Sequence, residues 1–271
     1  MKIAFLGGGN MASALIGGLR AQGFDATSIS AIEVNSAARD KLAACHGVHV
    51  SAAPDATTRD CDTLVLAVKP QDMKQALAGL GGVAASKLII SIAAGLRIAD
   101  LSRWLGGHAR LVRCMPNTPA LIGAGITGLY AAPGVSAEER GRAEQIVGAV
   151  GEAVWVEDEA LLDPVTAVSA SGPAYVFWFI EQLALCGEKL GLPPDVSRKL
   201  ALHTVLGAAR LVAQSGEPPG TLRAQVTSKG GTTEAALRVF AEERLAERFM
   251  RAVEAASRRG AELGEQLGKD R

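Results

Sequence analysis

The first part of the chain alternates short, almost wholly apolar runs with longer segments whose apolar residues recur at helical spacing. Apolar runs of strand length occupy residues 2–7, 28–33, 62–68, 87–93 and 109–115. Continuous runs of this kind are typical of strands buried on both faces, so they predict a parallel sheet covered by helices on both sides. Helical patterns between the runs supply the covering helices, at 10–21, 36–45 and 97–105. Two shorter runs, 125–130 and 153–156, are predicted as edge strands of the same sheet.

The pattern changes after Asp163-Pro164, because no strand-like run follows. Residues 173–191 begin with proline and end with glycine, which is the favoured order at the two ends of a helix. Residues 195–216 continue the helical spacing, and residues 234–267 are predicted as two helices. The sequence therefore predicts an α/β domain over residues 1–163 and an all-α domain over residues 164–271.

Composition narrows the classes of partner. Hydrophobic residues make up 48% of the 271 positions, which is enough for a folded core. The 28 basic and 28 acidic residues cancel, so charge provides no case for binding nucleic acid or a membrane surface. The cysteines are widely separated, which favours buried thiols in a reducing cytoplasm over a disulfide framework or a metal site. We expect a cytoplasmic protein without a metal.

A glycine-rich turn follows the first predicted strand. In "GGGNMA", Gly7, Gly9 and Ala12 fit the spacing G-x-G-x-x-A between a strand and a helix. The first glycine permits a tight turn, the second lets a diphosphate approach the backbone, and the small Ala12 lets helix and strand pack closely. Glu33 ends the next strand, where an acid bonds the adenosine ribose of NAD. The alternatives are a tight turn without a ligand and a Glu33 that faces solvent.

Further candidate contacts lie where later strands end, since open α/β sheets bind ligands at that edge. "AVKP" follows one strand and "SIAAG" ends the next. Asn117 in "PNTP" is a candidate for bonding the nicotinamide amide, although an asparagine between prolines is also typical of a turn. The predicted cofactor contacts are Gly7, Gly8, Gly9, Asn10, Met11, Ala12, Glu33, Ala67, Val68, Lys69, Pro70, Ala93, Ala94 and Asn117.

A second glycine turn, "VTSKGGTTEAAL" at residues 226–237, stands directly before a predicted helix. Glycines expose backbone N–H groups, and the start of a helix carries a partial positive charge, so this turn is suited to binding an anion. The alternative is an ordinary helix cap, in which the hydroxyl of Thr232 or Thr233 satisfies the first N–H groups. The turn taken alone favours the cap.

Four stretches together, "GGGNMA", "AVKP", "MPNTPA" and "SGPAYVF" with "VTSKGGTTEAAL", resemble the pyrroline-5-carboxylate reductase family over nearly the whole chain. The resemblance implies a Rossmann-like domain at 1–163 that binds NADPH or NADH, and a helical substrate-binding and dimerisation domain at 164–271. It implies reduction of 1-pyrroline-5-carboxylate to L-proline, the last step of proline synthesis. It also implies a homo-oligomer, either a dimer or a decamer of five dimers.

The resemblance also implies a substrate site. The carboxylate of the cyclic imine would lie on the second glycine turn, and Thr233 would place its hydroxyl beside the ring nitrogen as the catalytic group. Glu159 would approach the substrate amine; the alternative is a carboxylate at a helix start. The predicted substrate contacts are Ser228, Gly230, Gly231, Thr232, Thr233 and Glu159.

Two positions depart from the family pattern. Lys229 stands where the family has proline, which relaxes the turn and adds a charge beside the expected anion. Pro54 stands near the position where the family has an asparagine beside the adenosine ribose. The choice between NADH and NADPH therefore stays open, with Glu33 favouring NADH. Two other functions also remain: a related oxidoreductase acting on another cyclic imine or a 3-hydroxy acid, with Lys189 or Lys199 as its acid/base, and a dinucleotide-binding sensor.

Overall fold

The computed structural model describes residues 1–84 and 86–269. Within them, one sheet contains the strands β1 (Ile3–Leu6), β2 (Ile29–Ile32), β3 (His49–Ser51), β4 (Thr63–Leu66), β5 (Leu88–Ser91), β6 (Leu111–Met115), β7 (Gly125–Ala131) and β8 (Gly151–Trp155). The helices are α1 (Asn10–Ala21), α2 (Ser36–His46), α3 (Ala56–Arg59), α4 (Met73–Ala78), α5 (Ile98–Trp104), α6 (Ala137–Val147), α7 (Leu162–Val165), α8 (Gly172–Lys189), α9 (Pro194–Ser215), α10 (Pro219–Gln225), α11 (Thr232–Glu242) and α12 (Leu245–Leu267).

The strand order is β3-β2-β1-β4-β5-β6-β7-β8, and β1 to β6 are all parallel. This is the doubly wound arrangement whose order reverses beside β1, so the predicted α/β fold with a Rossmann-like domain is confirmed. The sheet departs from the prediction at one side, because β7 runs antiparallel to β6. β7 also lies inside the sheet, next to β8, and is not an edge strand. The short, partly exposed β3 was missed because "HVS" has no apolar run.

Two layers of side chains cover the sheet. Successive residues of a strand point to opposite faces, so Ile3 and Phe5 of β1 enter one layer while Ala4 and Leu6 enter the other. α1 packs Leu15, Ile16 and Leu19 into the first layer. Every residue of β1, β2, β4 and β5 is buried, which explains why these strands appear in the sequence as unbroken apolar runs.

Residue contacts divide the chain into two compact units. The first contains Met1–Ser171 together with the C-terminal residues from Ala256 onward, and the second contains Gly172–Ala255. The predicted boundary after residue 163 lies before this division, because the short helix α7 and the π-helical turn Thr166–Ala170 are counted with the sheet. The predicted division also placed the end of the chain with the helices.

The end of α12 belongs to the sheet unit for a visible reason. Leu267 packs against the second side-chain layer, and Arg103 on α5 donates a hydrogen bond to the carbonyl of Gly268 at 2.7 Å. Gly264 approaches Gly95 so closely that a side-chain carbon there would lie 2.8 Å from the Gly95 carbonyl oxygen. The sequence shows a continuous helical pattern here, and only the contacts reveal where it packs.

The helical unit buries little of its own apolar surface. α8 and α9 pack together around Ala184, Ser197 and Ala201, yet Phe177, Trp178 and many other large apolar residues of this unit are exposed. The consecutive aromatic residues 177–179 are exposed, so they are not part of a core within one chain. Exposed apolar area of this extent is typical of a surface that another protein chain covers.

Other expectations concern thiols, metals and membranes. All four cysteines lie in the described residues and are free thiols; Cys61 and Cys114 are buried, but Cys45 and Cys186 are exposed, contrary to expectation. Residues 1–84 and 86–269 contain no cluster of His, Cys, Asp or Glu side chains able to hold a metal ion. Over the same residues, every helix is too short or too polar to cross a membrane.

The packing of Leu267 can be tested by its stability contribution. We expect Leu267→Ala to lower the free energy of unfolding by about 1–2 kcal/mol, because a partly buried leucine loses contacts with the second layer. The measurement is chemical denaturation of the purified protein. Glu265→Ala, on the exposed side of the same turn, is the control and should change stability by less than about 0.5 kcal/mol. Equal effects of the two substitutions would contradict the packing of this helix end on the sheet unit.

Candidate functional site

The first glycine turn fits a bound diphosphate at two positions. Gly7 has φ +102°, and a side-chain carbon there would lie 2.8 Å from the carbonyl oxygen of Ala67, so only glycine is accommodated. A side-chain carbon at Gly9 would meet no atom within 4 Å, which leaves open space over the backbone. Ala12 is buried against the sheet, as its small size predicts. The turn is therefore packed closely against Ala67 at Gly7, while the backbone at Gly9 is open to a ligand.

The helix that follows the turn offers free donors. Gly9 is the N-cap residue of α1, and no side chain among the described residues caps this end of the helix. The first N–H groups of an α-helix have no acceptor within the helix, so those at Asn10 and Met11 are available to an anion. A twelve-residue helix also presents a partial positive charge at this end. These residues fit the diphosphate of a dinucleotide.

Glu33 lies beside this turn, directly after β2. Its Oε2 accepts the N–H of Gly8 at 2.7 Å, and its Oε1 accepts the N–H of Asn35 at 2.8 Å. Arg39 donates to the carbonyl oxygens of Glu33 and Val34, both at 2.9 Å, and so holds the loop after β2 in place. One predicted diphosphate donor, the Gly8 amide, is thus bound by Glu33. Contact of Glu33 with a ribose stays a prediction.

The other predicted cofactor residues lie at the ends of the neighbouring strands. Ala67 follows β4 and its N–H donates to the carbonyl of Leu6 at 2.8 Å, which brings it next to the glycine turn. The N–H of Ile92 donates to the carbonyl of Leu66 at 3.1 Å, so the segment with Ala93 and Ala94 begins beside Ala67. The fold brings these segments together at the carboxyl edge of the sheet. Lys69 is exposed there, at the N-cap of the 3₁₀ turn Pro70–Asp72.

Asn117 has partners within the protein. Its Oδ1 accepts the N–H of Ile126 at 3.0 Å, and its Nδ2 lies 3.4 Å from the hydroxyl and 3.5 Å from the carbonyl of Ser169. The residue is almost fully buried. These bonds join the turn after β6 to β7 and to the π-helical segment, which agrees with the alternative of a structural turn residue. A contact between Asn117 and the nicotinamide stays a prediction.

Glu159 belongs to a group of four charged side chains. Its Oε1 accepts from Arg113 at 3.0 Å and from the N–H of Ile98, the first residue of α5, at 2.8 Å. Beside this pair, Arg97 donates to Asp163 at 2.5 Å. Burial in the sheet lowers the pKa of the Arg113 guanidinium, and the adjacent Glu159 opposes that shift. Glu159 is also the first residue of the 3₁₀ turn Glu159–Leu161, which agrees with the alternative of a carboxylate at a helix start. Contact with a substrate amine stays a prediction.

No motif in the sequence assigns a functional role to Arg113, Arg97 or Asp163. A signal was present for Arg113, since it is the one charged residue inside the run "LVRCM" of β6. A charge buried in a strand requires a partner, so such a residue points to an ion pair even when the partner cannot be identified. Arg97 and Asp163 carried no comparable signal, because Arg97 precedes α5 as its N-cap residue and Asp163 lies in the short helix α7, where a charged residue is common.

The second glycine turn lies in the helical unit. Gly230 has φ +72°, and Gly231 is the N-cap residue of α11. In the described chain no side chain caps this helix start, so neither Thr232 nor Thr233 acts as the cap. Both threonines instead occupy the first turn of α11, with their backbone N–H groups available to an anion. The alternative of an ordinary hydroxyl cap is wrong.

Two amides of this turn already have acceptors. The N–H of Gly230 donates to Oε2 of Glu234 at 2.7 Å, and the N–H of Gly231 donates to the carbonyl of Ser228 at 3.0 Å. A side-chain carbon at Gly231 would lie 2.5 Å from the hydroxyl of Ser228, so this hydroxyl covers the glycine. The donors available to a carboxylate are therefore fewer than predicted and centre on Thr232 and Thr233.

The fold and these two helix starts define an NAD(P)-binding oxidoreductase with a Rossmann-like domain and a helical second unit. Family models agree with both parts. Residues 2–95 match the model described as NADP oxidoreductase, coenzyme F420-dependent. Residues 159–263 match the model described as pyrroline-5-carboxylate reductase dimerisation.

Individual relatives identify the family. The pyrroline-5-carboxylate reductase of Pseudomonas aeruginosa is 47% identical over 99% of this chain and 98% of its own length. A solved pyrroline-5-carboxylate reductase of Coxiella burnetii is 39% identical with a TM-score of 0.92, over 97% of this chain and 98% of that chain. The Plasmodium falciparum enzyme, solved with NADP bound, is 30% identical with a TM-score of 0.84 over the same shares. This chain belongs to the pyrroline-5-carboxylate reductase family.

The two glycines of the first turn are expected to separate folding from cofactor binding. Gly7→Ala should lower the free energy of unfolding by about 2 kcal/mol or more, because of the positive φ and the contact with Ala67. Gly9→Ala should leave stability within about 0.5 kcal/mol, since its φ is −68° and its surroundings are open.

Gly9→Ala should nevertheless weaken NADPH and NADH binding at least about tenfold, because the added carbon occupies the diphosphate position and weakens charge-assisted hydrogen bonds. Thermal unfolding and fluorescence titration of both cofactors give the two readouts. Unchanged cofactor affinity in a stable Gly9→Ala protein would mean that the diphosphate does not bind here.

Proposed function

We propose that the protein catalyses the NAD(P)H-dependent reduction of 1-pyrroline-5-carboxylate to L-proline, the last step of proline biosynthesis. The observation that carries the proposal is the start of α11, which follows a left-handed glycine and lacks a side-chain cap. In a chain of this family, a second anion site of this kind matches a substrate that carries a carboxylate. Relatives named for this reaction align over nearly the full length of the chain.

The substrate carboxylate is proposed to accept the backbone N–H groups of Thr232 and Thr233. The partial positive charge of α11 favours an anion at that position. Glu234 disfavours a bound anion, because its negatively charged carboxylate accepts the N–H of the neighbouring Gly230. The exposed Lys229 ammonium adds a positive charge beside the turn, which offsets part of the repulsion from Glu234.

The reaction requires little acid–base catalysis by the protein. The protonated imine is already an electrophile, and reduction adds one hydride to its carbon while the nitrogen keeps its proton. When bound, the reduced nicotinamide supplies that hydride. The residues of this chain hold the two reactants; correct placement alone lowers a barrier by up to roughly 7–11 kcal/mol.

Thr233 is the proposed catalytic residue. Its side chain is half-buried at the second position of α11, next to the amides proposed for the carboxylate. The hydroxyl is proposed to bond the ring nitrogen and orient the iminium. An ordinary hydroxyl is a weak acid, so orientation rather than proton donation is its main contribution.

The proposed cofactor is NADPH or NADH. Family membership and the NADP-bound relative support a nicotinamide dinucleotide. Glu33 supports NADH, because its carboxylate stands where the 2′-phosphate of NADPH would be repelled. Asn35 and Arg39 support NADPH, since both lie beside the same loop and can donate hydrogen bonds to a phosphate.

The protein is proposed to act in the cytoplasm as a homodimer formed through the helical unit, with five dimers in a decamer. The dimerisation family model and the exposed apolar faces of residues 172–255 support self-association. The four free thiols are compatible with a reducing compartment. Sedimentation or light scattering of the purified protein distinguishes a dimer from a decamer.

A steady-state assay tests the reaction. Purified protein given 1-pyrroline-5-carboxylate should oxidise NADPH or NADH and form L-proline, measured by absorbance and by amino-acid analysis. The six-membered cyclic imine and 3-hydroxy acids are parallel substrates. Faster turnover of either would favour the related oxidoreductase, and folded protein without turnover of any would reject the proposal.

Thr233→Ala separates catalysis from binding of the cofactor alone. We expect kcat/KM for the imine to fall about 10- to 100-fold, because the iminium loses an orienting hydrogen bond. The cofactor Kd should stay within about twofold. Thr221→Ala, on α10 of the same unit, is the control and should leave kcat/KM unchanged. Wild-type kcat/KM in Thr233→Ala would exclude a catalytic hydroxyl.

A further inference from the structure

Four charged side chains near the carboxyl edge of the sheet form the group that we call the Arg113 cluster. It contains Arg97, Arg113, Glu159 and Asp163, so its formal charges cancel. Arg113 is 2% exposed, and its partner Glu159 is mostly buried. Taking charges out of water is costly, so an ion pair at this depth adds little net stability, but removing one partner leaves a buried charge unpaired.

The cluster is bonded to the backbone segment that follows β5, residues 93–97, and to the start of α5. Glu159 accepts the N–H of Ile98 at 2.8 Å, and the preceding residue, Arg97, is bonded to Asp163 at 2.5 Å. The start of α5 and its N-cap residue are therefore both tied to charged partners. α5 has no side-chain cap at Arg97, so the Glu159 carboxylate takes over that role from a distance of 61 residues in sequence.

The same segment is held at two further points. At its beginning, the N–H of Ile92 donates to the carbonyl of Leu66. In its middle, Gly95 packs under the end of α12, since a side-chain carbon at Gly95 would lie 3.2 Å from Leu267 and 3.6 Å from the Gly264 nitrogen. The segment from Ala93 to Arg97 is thus clamped between the sheet, the Arg113 cluster and α12.

We propose that Arg113 and Glu159 are positioning residues for cofactor binding, acting through the 93–97 segment. The inference rests on the proposed function and on the predicted contacts of Ala93 and Ala94 with the cofactor. Arg113 orients the carboxylate of Glu159, and Glu159 fixes the N–H of Ile98 and with it the path of the segment. Glu159 then contributes to cofactor affinity and does not bind the substrate amine.

The test is equilibrium binding of NADPH and of NADH to the purified full-length protein, followed by nicotinamide fluorescence without substrate. Glu159→Gln keeps the size of the side chain but removes the charge that Arg113 pairs with, so Arg113 no longer orients the acceptor for the N–H of Ile98. Its cofactor Kd should rise about tenfold, as a small displacement of a binding segment predicts. The KM for 1-pyrroline-5-carboxylate, measured at saturating cofactor, should stay within about twofold.

A matched control exists elsewhere in the sheet unit. Glu139 on α6 also accepts from an arginine, Arg110 at 2.6 Å, and from a backbone N–H at a helix start, Ser136 at 2.9 Å. Glu139→Gln should lower the midpoint of thermal unfolding by about as much as Glu159→Gln does. It should leave the cofactor Kd within about twofold of the wild-type value. Arg113→Lys, which keeps the charge but loses the planar fork, should weaken cofactor binding in the same direction as Glu159→Gln.

Three results would overturn the inference. Glu159→Gln that raises the imine KM with an unchanged cofactor Kd would make Glu159 a substrate ligand. An equal rise of cofactor Kd in Glu139→Gln would reduce the effect to general loss of stability. Unchanged cofactor Kd in both cluster variants would leave the cluster without a role in binding. Wild-type protein that binds neither cofactor is a distinct result, which would reject the proposed function itself.

Discussion

The proposed function depends on the backbone N–H groups at the starts of two helices. In α1 and in α11 the N-cap residue is a glycine without a capping side chain, so the first donors of each helix are left for an anion. This solution suits a chain with no net charge, because local backbone dipoles replace a basic surface. One helix start belongs to the sheet unit and the other to the helical unit.

Carboxylates of the protein stand next to both helix starts. Glu33 accepts from Gly8 in the first turn, and Glu234 accepts from Gly230 in the second. Each forms a hydrogen bond with the turn, at 2.7 Å in both cases, so each helps to hold the backbone of the turn in place. Each also places a negative charge near an anion site, which opposes binding of another anion. At these two proposed sites, we therefore expect the affinities for cofactor and substrate to depend on a balance between backbone dipoles and these two acids.

The two units differ in how much of their apolar surface they bury within one chain. The sheet unit has two complete side-chain layers, and a buried ion cluster fixes the loop after β5. The helical unit leaves Phe177, Trp178 and other large apolar residues at its surface. Such a unit gains its stability by association, so its fold and its oligomeric state are expected to be linked. The match to the family model for dimerisation, residues 159–263, contains the whole of this unit.

The sequence by itself determined seven of the eight strands, the main helices and both glycine turns, because these depend on local patterns: apolar runs, helical spacing and glycine positions. β3 was not predicted, because its three residues, exposed or only half-buried, form no apolar run. Only the tertiary structure decided that β7 lies inside the sheet, that α12 returns to the sheet unit, and that Glu159 pairs with Arg113. Those facts depend on contacts between residues far apart in the chain. Such contacts are set by which surfaces pack together in three dimensions. The local sequence around each residue does not show which distant residue it contacts.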